Sequence, residues 1–503
     1  WSLSPLQQGL YFQSQLAAAS DGAVDVYVAQ AVLQLGQVDA ERLHTAARQV
    51  VAHHAVLRSG FVSAPSGAVV TVVHDEAELP WAVVDLTGLE ESVAQRRVQE
   101  IVEEQRAIPF DLTDPPLVRF VLAMHGDSST LVVTNHHIIL DGWSGPLVVA
   151  DVLALYALGR PFTPVTDFSE YLAQIARTDD ASGLAAWNEV LAPVDSPTMV
   201  AAGQEAQRDS LPRDRRERLG AELTAGLEAV SRSTGATMAT ITQFAWAVLL
   251  SRLTGNRVVT FGETVSGRPA DLPGVESMVG LFINTLPAVV DVDPDASIAD
   301  VLAKLQADKV KVLDHQHLGM PQILAHTGHG PLFDTLTVFE SYPVNTDTLT
   351  TADTSSAGLD VRQVDVLDSV HYPLGFGATP TDDQLQLRLA YLPSVFTDAQ
   401  IEVFVRALAH ILRVVAEGPD TPTREIGLLD GPDREQLLAW SRPAAPVVGR
   451  ELVSDLLAAR AADAADATAL IFQGRGVSYA ELNARASVLA RQLIAFGVGP
   501  DTA

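Results

Sequence analysis

Along the first ~165 residues, apolar and polar positions alternate between a helical and a strand period, the pattern of an α/β arrangement. The segment 39–57, DAERLHTAARQVVAHHAVL, repeats apolar residues at helical spacing behind Asp39, a residue suited to an N-cap, and predicts an amphipathic helix. The segments PLVRFVLAMHG (116–126) and STLVVTNHHIIL (129–140) are rich in β-branched and apolar residues. The Gly126–Ser129 cluster where they meet predicts a hairpin. PLVVADVLALYALG (146–159) has Pro at its start and Gly at its end, the usual punctuation of a helix. From about residue 181 the alternation begins again. Helices are predicted at 222–234 and 238–255, and strands at 257–269, 282–292, 333–342 and 383–392. The polar, Ser/Thr-rich run 345–360 predicts an exposed loop, and the prolines after Trp440 a linker. The final segment, 451–503, reads as helix, short hairpin, helix, too little for a complete catalytic domain.

Composition narrows the function classes. At 503 residues more than one hydrophobic core is expected. The longest apolar run, around QFAWAVLL (243–250), falls short of the roughly 20 residues a membrane helix requires, so no membrane span is expected. The chain opens on Trp1 without a basic and apolar leader, and is expected to be a cytoplasmic piece of a longer protein. It contains no cysteine, which excludes disulfides, Cys-ligated zinc and a thiol nucleophile. A net charge of −29 argues against nucleic acid or an anionic membrane as partner.

The candidate chemistry lies in TNHHIILDGWS (134–144). On an extended strand His136 and His137 face opposite sides of the sheet, so one can enter a cavity while the other packs beneath it. Asp141 and Gly142 then turn the chain, the carboxylate being able to accept hydrogen bonds from the helix start or pair with a cation. A neutral imidazole held this way suits proton transfer to or from a nucleophile. Adjacent histidines on opposite faces cannot chelate one ion, and no HExxH spacing occurs, so no metal is expected. Nor is one expected at His315, His317, His326 and His329, which lack acidic ligands at useful spacing. From the residues alone, a catalytic imidazole and a satisfied core histidine both remain open. His53 and His54, at the end of the first amphipathic helix, read as structural, as does Arg58.

NHHIILDGWS resembles the HHxxxDG signature of nonribosomal peptide synthetase condensation domains, shared with chloramphenicol acetyltransferase and other CoA-dependent acyltransferases. Further stretches are similar to the family's motifs in the family's order: LSPLQQGLYF (3–12), HHAVLRSGF (53–61, with Ala55 where an acidic residue is usual) and VTDFSEYL (165–172). They continue with VSGRP (265–269), MVGLFINTLP (278–287), HQHLGMPQI (315–323) and PLFDTLTVFESYP (331–343). The tail segment VSYAELNARASVLARQL (477–493) resembles the opening motifs of an adenylation domain.

The resemblance implies an α/β fold of two acetyltransferase-like subdomains, 1–175 and 176–432, forming a V-shaped pseudodimer around a central tunnel. A linker at 433–450 and a truncated adenylation piece at 451–503 would follow. It implies a monomeric amide-forming acyltransferase in which the acceptor aminoacyl amine attacks the donor thioester. Both substrates would arrive on phosphopantetheine arms of donor and acceptor carrier proteins, next to the adjacent adenylation domain, with no cofactor bound by the domain itself. His137 is the implied catalytic residue. His136, Asp141, Gly142 and Arg268 support it, with Arg268 as the partner of Asp141, while Trp143, Ser144 and Asn284 line the tunnel. LSPLQQGLYF with FESYP resembles the subgroup whose donor ends in a D-residue. The alternatives are an epimerisation domain, a stand-alone CoA-dependent acyltransferase, and an inactive carrier-docking platform.

Overall fold

The protein is described by a computed structural model that covers all residues except 20–23, 160–164, 205–210, 341–358, 370, 382, 442–451 and 500–503. Two compact units result, Trp1–Asp430 and Gly431–Ala503. The larger contains two halves, each built on its own sheet.

In the first half the order is α1 (Pro5–Ala18), β1 (Val28–Leu35), α2 (Ala40–His53), β2 (Ser59–Ser63), β3 (Val69–Val73), β4 (Trp81–Asp85) and α3 (Glu91–Ala107). There follow β5 (Val118–His125), β6 (Ser128–His136), α4 (Ser144–Leu158) and α5 (Phe168–Ile175). Strands β5 and β6 form the expected hairpin, pairing antiparallel from Val118↔Asn135 to His125↔Ser128. Their period of two sorts the side chains onto two faces. Phe120, Leu122, Leu131 and Val133 join the core that holds residues of α2 and α4, whereas Val121, Ala123 and Val132 pack with Ala94, Ile101 and Val102 of α3. Asp39 caps α2 by accepting from Arg42 N, and Gly159 ends α4 in the left-handed region.

The second half contains α6 (Asp180–Leu191), β7 (Arg213–Arg218), α7 (Ala221–Thr234), α8 (Met238–Thr254), β8 (Val258–Val265), β9 (Asn284–Asp291), α9 (Ile298–Val312) and α10 (Met320–Thr327). Beyond these come β10 (Thr335–Phe339), β11 (Val361–Leu367), β12 (Leu374–Thr381), β13 (Gln384–Tyr391) and the helix Asp398–Glu417. Six strands form the sheet in the order β7-β13-β12-β10-β8-β9. The apolar run QFAWAVLL is the interior of α8, which is buried on every side from Thr240 to Ser251. No helix among the described residues is long and apolar enough to cross a membrane.

Strand β11 does not join this sheet. It adds to the first half's sheet, whose order is β11-β1-β6-β5-β4, by pairing antiparallel with β1. The chain then returns to β12 in its own half. The second half thus completes the first half's backbone ladder, a crossing no local periodicity announces.

The segments expected as strands from 282, 333 and 383 form β9, β10 and β13, although β9 begins only at Asn284. Residues 345–358 of the expected loop, 341–343 of FESYP and 442–450 of the expected linker lie outside the described residues. The first part of that linker is helical, within Gly431–Ser441. The smaller unit contains the helix Val453–Asp463, the hairpin β14 (Thr468–Phe472) and β15 (Arg475–Ser478), and the helix Tyr479–Ala495.

Candidate active site

The histidine pair lies where β6 ends. His136 is the last strand residue, whereas His137 belongs to the turn that follows, so the alternation expected of a continuing strand does not apply to it. His136 is fully buried. Its Nδ1 accepts from Ile138 N at 3.0 Å, which leaves the ring hydrogen on Nε2 in the neutral form. Nε2 lies 3.2 Å from Asp25 Oδ2 and 3.0 Å from Ser14 Oγ. Burial alone would raise the Asp25 carboxyl; hydrogen bonds from His136, Tyr27 N–H and Ser14 outweigh it and hold the group below the usual carboxylate range. His136 is thus the satisfied core histidine of the pair.

His137 is partly exposed. Its backbone N–H donates to Tyr27 O at 2.8 Å, and its Nδ1 is buried with no hydrogen-bond partner among the described residues. What solvent meets of the residue is therefore not Nδ1.

The opening motif explains part of this rigidity. Ser4 caps α1 in a capping box with Gln7, and Pro5 occupies the first turn. From that position Gln7 Nε2 donates to Ile138 O at 3.0 Å, and two turns later Ser14 meets His136. LSPLQQGLYF is a brace for the histidine loop.

Asp141 and Gly142 close the loop. Asp141 Oδ1 accepts from Ser144 N at 2.7 Å and Trp143 N at 3.2 Å, capping the start of α4, while Oδ2 accepts from Phe282 N at 2.9 Å. The donor Phe282 comes from the second half. So does Arg268, whose Nη2 lies 3.4 Å from Asp141 Oδ1, with both side chains buried. Its other bonds go to Ser144 Oγ at 2.9 Å, Met278 O at 3.0 Å and Val275 O. The guanidinium sits 3.9 Å from the Phe282 ring centroid. Burial pushes Arg268 below the usual arginine range, opposed by the Asp141 charge. Gly142 is half-buried between these anchors.

Two residues expected in the tunnel are buried. Ser144 is fully buried, accepting from Gly280 N and donating to Gly280 O at 3.0 and 2.8 Å, so it bolts the two halves together and faces no open space. Asn284 is buried and spends both amide hydrogens on Gln316 O and Leu318 O, each at 2.8 Å. Internal hydrogen bonding accounts for the polar groups of both side chains. Trp143 is partly exposed, with its indole N–H donating to Glu276 O at 2.9 Å.

Two of the other histidines pair with nearby carboxylates. His54 Nε2 pairs with Asp151 Oδ2 at 2.8 Å, joining α2 to α4, and His317 Nε2 lies 3.2 Å from Asp180 Oδ1. Among the described residues no three His, Asp or Glu side chains gather as a metal site. Several residues that hold the site came from segments without any motif signal: Ser14, Asp25 and Tyr27.

A two-halved α/β fold with an imidazole at the end of a central strand, locked from both halves, defines an acetyltransferase-like class. The Condensation domain profile matches residues 1–438, and the chain belongs to that family. A linear gramicidin synthase of Brevibacillus parabrevis is 32% identical over 520 residues, covering 100% of this chain and 10% of that protein. Surfactin synthase subunit 3 of Bacillus subtilis (strain 168) is 30% identical over 505 residues, covering 99% and 39%. The chain thus spans a tenth of the first relative's length and under half of the second's. Among solved structures, the first condensation domain of the calcium-dependent antibiotic synthetase, in complex with a substrate analogue, superposes with a TM-score of 0.71 at 22% identity, covering 85% of this chain and 99% of that one. Holo-AB3403, a four domain nonribosomal peptide synthetase, does so at 0.76 and 19%, covering 99% and 39%. These likenesses establish the fold.

Proposed function

We propose that the domain forms a peptide bond in nonribosomal peptide synthesis. The α-amine of an aminoacyl group on the acceptor carrier attacks the thioester carbonyl of the donor. A C–N bond forms, the C–S bond breaks, the amine loses a proton and the departing thiolate gains one. Both reactants are tethered on phosphopantetheine arms that enter a tunnel between the halves, so placing them together supplies much of the acceleration. His137 is the group at which the amine proton is accepted or the attacking nitrogen oriented. The observation that carries this reading is the contrast within the pair: His136 has both ring nitrogens engaged, while His137 remains partly exposed on a backbone held by Tyr27.

Residues 451–503 begin an adenylation domain. The similarity to the linear gramicidin synthase runs through them, which supports a condensation–adenylation order over an epimerisation domain or a free-standing acyltransferase. The domain acts in the cytoplasm on carrier proteins, and the donor ends in a D-residue.

Incubating the protein with a loaded donor and a loaded acceptor carrier, and weighing the acceptor by intact-protein mass spectrometry, tests the reaction. The expected product is the acceptor carrier increased by the donor acyl mass, with D-terminated donors consumed faster than their L-epimers. Unchanged carrier masses with every donor tried would contradict the reaction, and equal epimer rates would contradict the donor assignment.

A further inference from the structure

Three strands and their registers bring an unassigned group to the histidine pair. Val28 of β1 lies opposite His136 of β6, and on the other side of β1 Gln30 lies opposite Leu367, the last residue of β11. The segment that leaves β11 for the second half therefore passes the strand end that carries His137. On this segment His371 Nδ1 shares a hydrogen bond of 2.6 Å with the hydroxyl of Tyr27.

Tyr27 is the residue both histidines lean on. Its carbonyl accepts from His137 N at 2.8 Å; its own N–H donates to Asp25 Oδ1 at 3.0 Å, the carboxylate that also receives His136. Tyr27 is buried. The one residue thus carries both the ring hydroxyl that meets His371 and the backbone groups that fix His137 and Asp25.

The segment is itself held from both sides. Arg388 of β13 donates to Asp368 Oδ1 at 2.6 Å and to Asp368 O at 2.9 Å, and it pairs with Asp214 of β7 at 3.0 Å. From the first half, Arg106 of α3 donates to Ser369 Oγ at 2.5 Å. Downstream, Tyr372 lies ring to ring with His371 at 4.1 Å, and burial pushes its hydroxyl up to about 12. A backbone clamped by arginines from both halves keeps its position only while the halves keep theirs.

We propose that His371 is a positioning residue for His137, acting through Tyr27, so that the crossover segment of the second half sets the placement of the imidazole at the end of the first half's strand. This rests on His137 serving the condensation reaction. The two side chains meet through this hydrogen bond and a tilted ring contact with centroids 6.0 Å apart, so removing the hydrogen-bonding group of either should misplace the imidazole without opening the fold. Misplacement of a reacting group by a fraction of an ångström to 1 Å is worth up to about 100-fold in rate.

The test is single-turnover condensation with saturating carriers, the acceptor concentration at half-maximal rate, and thermal midpoints, for the intact protein and for Tyr27→Phe, His371→Leu, His371→Asn, the Tyr27→Phe/His371→Leu pair and His137→Ala. Tyr27→Phe and His371→Leu should each lower the maximal rate by about 5- to 20-fold while half-saturation and thermal midpoint stay within error. The pair should be no slower than either single variant, since both remove the same bond. His371→Asn, whose amide can occupy the Nδ1 position, should recover most of the rate. Native rates in Tyr27→Phe and His371→Leu alongside a slow His137→Ala would overturn the inference, as would losses that multiply in the pair. A native rate in His137→Ala would instead overturn the function on which it rests.

Discussion

At the residue scale the site is a division of labour among buried polar groups. Asp141 is the most heavily used, capping α4, receiving Phe282 N and pairing with Arg268. Truncating one member of a buried ion pair strands the other, which costs about 3–5 kcal/mol. Asp141→Ala should therefore lower stability by about that amount in urea unfolding as well as abolish condensation. Arg268→Met combined with Asp141→Leu should cost less than the sum of the single changes, because no charge is left unpaired. Asp25 gives a pH signature. Its folded pKa lies below the ordinary carboxylate value of 3.8, so its contribution is present above that pH and is lost as pH falls through the folded value. Asp25→Asn should be less stable than the intact protein at neutral pH, and the gap should close in acid below about pH 4, measured by thermal unfolding across pH.

Among the elements, the braces around the histidine loop depend on close backbone approach. Gly267, just before Arg268, has φ +60°, and a Cβ there would sit 1.9 Å from Phe282 O. Gly267→Ala should destabilise by about 1–3 kcal/mol or misplace Arg268, visible as a lowered urea midpoint with reduced condensation. Much of this layer was legible beforehand. Alternation gave the β5–β6 hairpin, Asp39 and Gly159 marked the ends of α2 and α4, and the uninterrupted apolar run became the buried α8. Strand β7 was not legible, because RDRRER has no apolar position; it is an edge strand held by pairing with β13 and by Arg215–Glu402 at 2.5 Å. Strand β12, LGFGATPT, reads as a turn from its Gly and Pro content, yet it lies inside the sheet between β13 and β10. The same limit applies to the site. Local signal marked HHxxxDG, but Asp25, Tyr27 and His371 meet it only through strand register. Nor does a motif position reveal that the Ser144 and Asn284 side chains are hydrogen-bonded to carbonyls.

Across the larger unit, the two halves are joined at the histidine loop. Arg268, Gly280 and Phe282 reach the histidine loop from the second half, and β11 enters the first half's sheet. Such an arrangement couples the placement of His137 to the contact between halves, and fits a domain whose substrates are brought together by positioning more than by a strongly activated nucleophile. Rapid-quench single turnover of a loaded carrier pair, comparing the intact protein with His137→Ala, is the most direct test of that account. Amide formation should slow by about 100-fold or more while the variant unfolds at the native urea midpoint. Equal rates in the two proteins would contradict it.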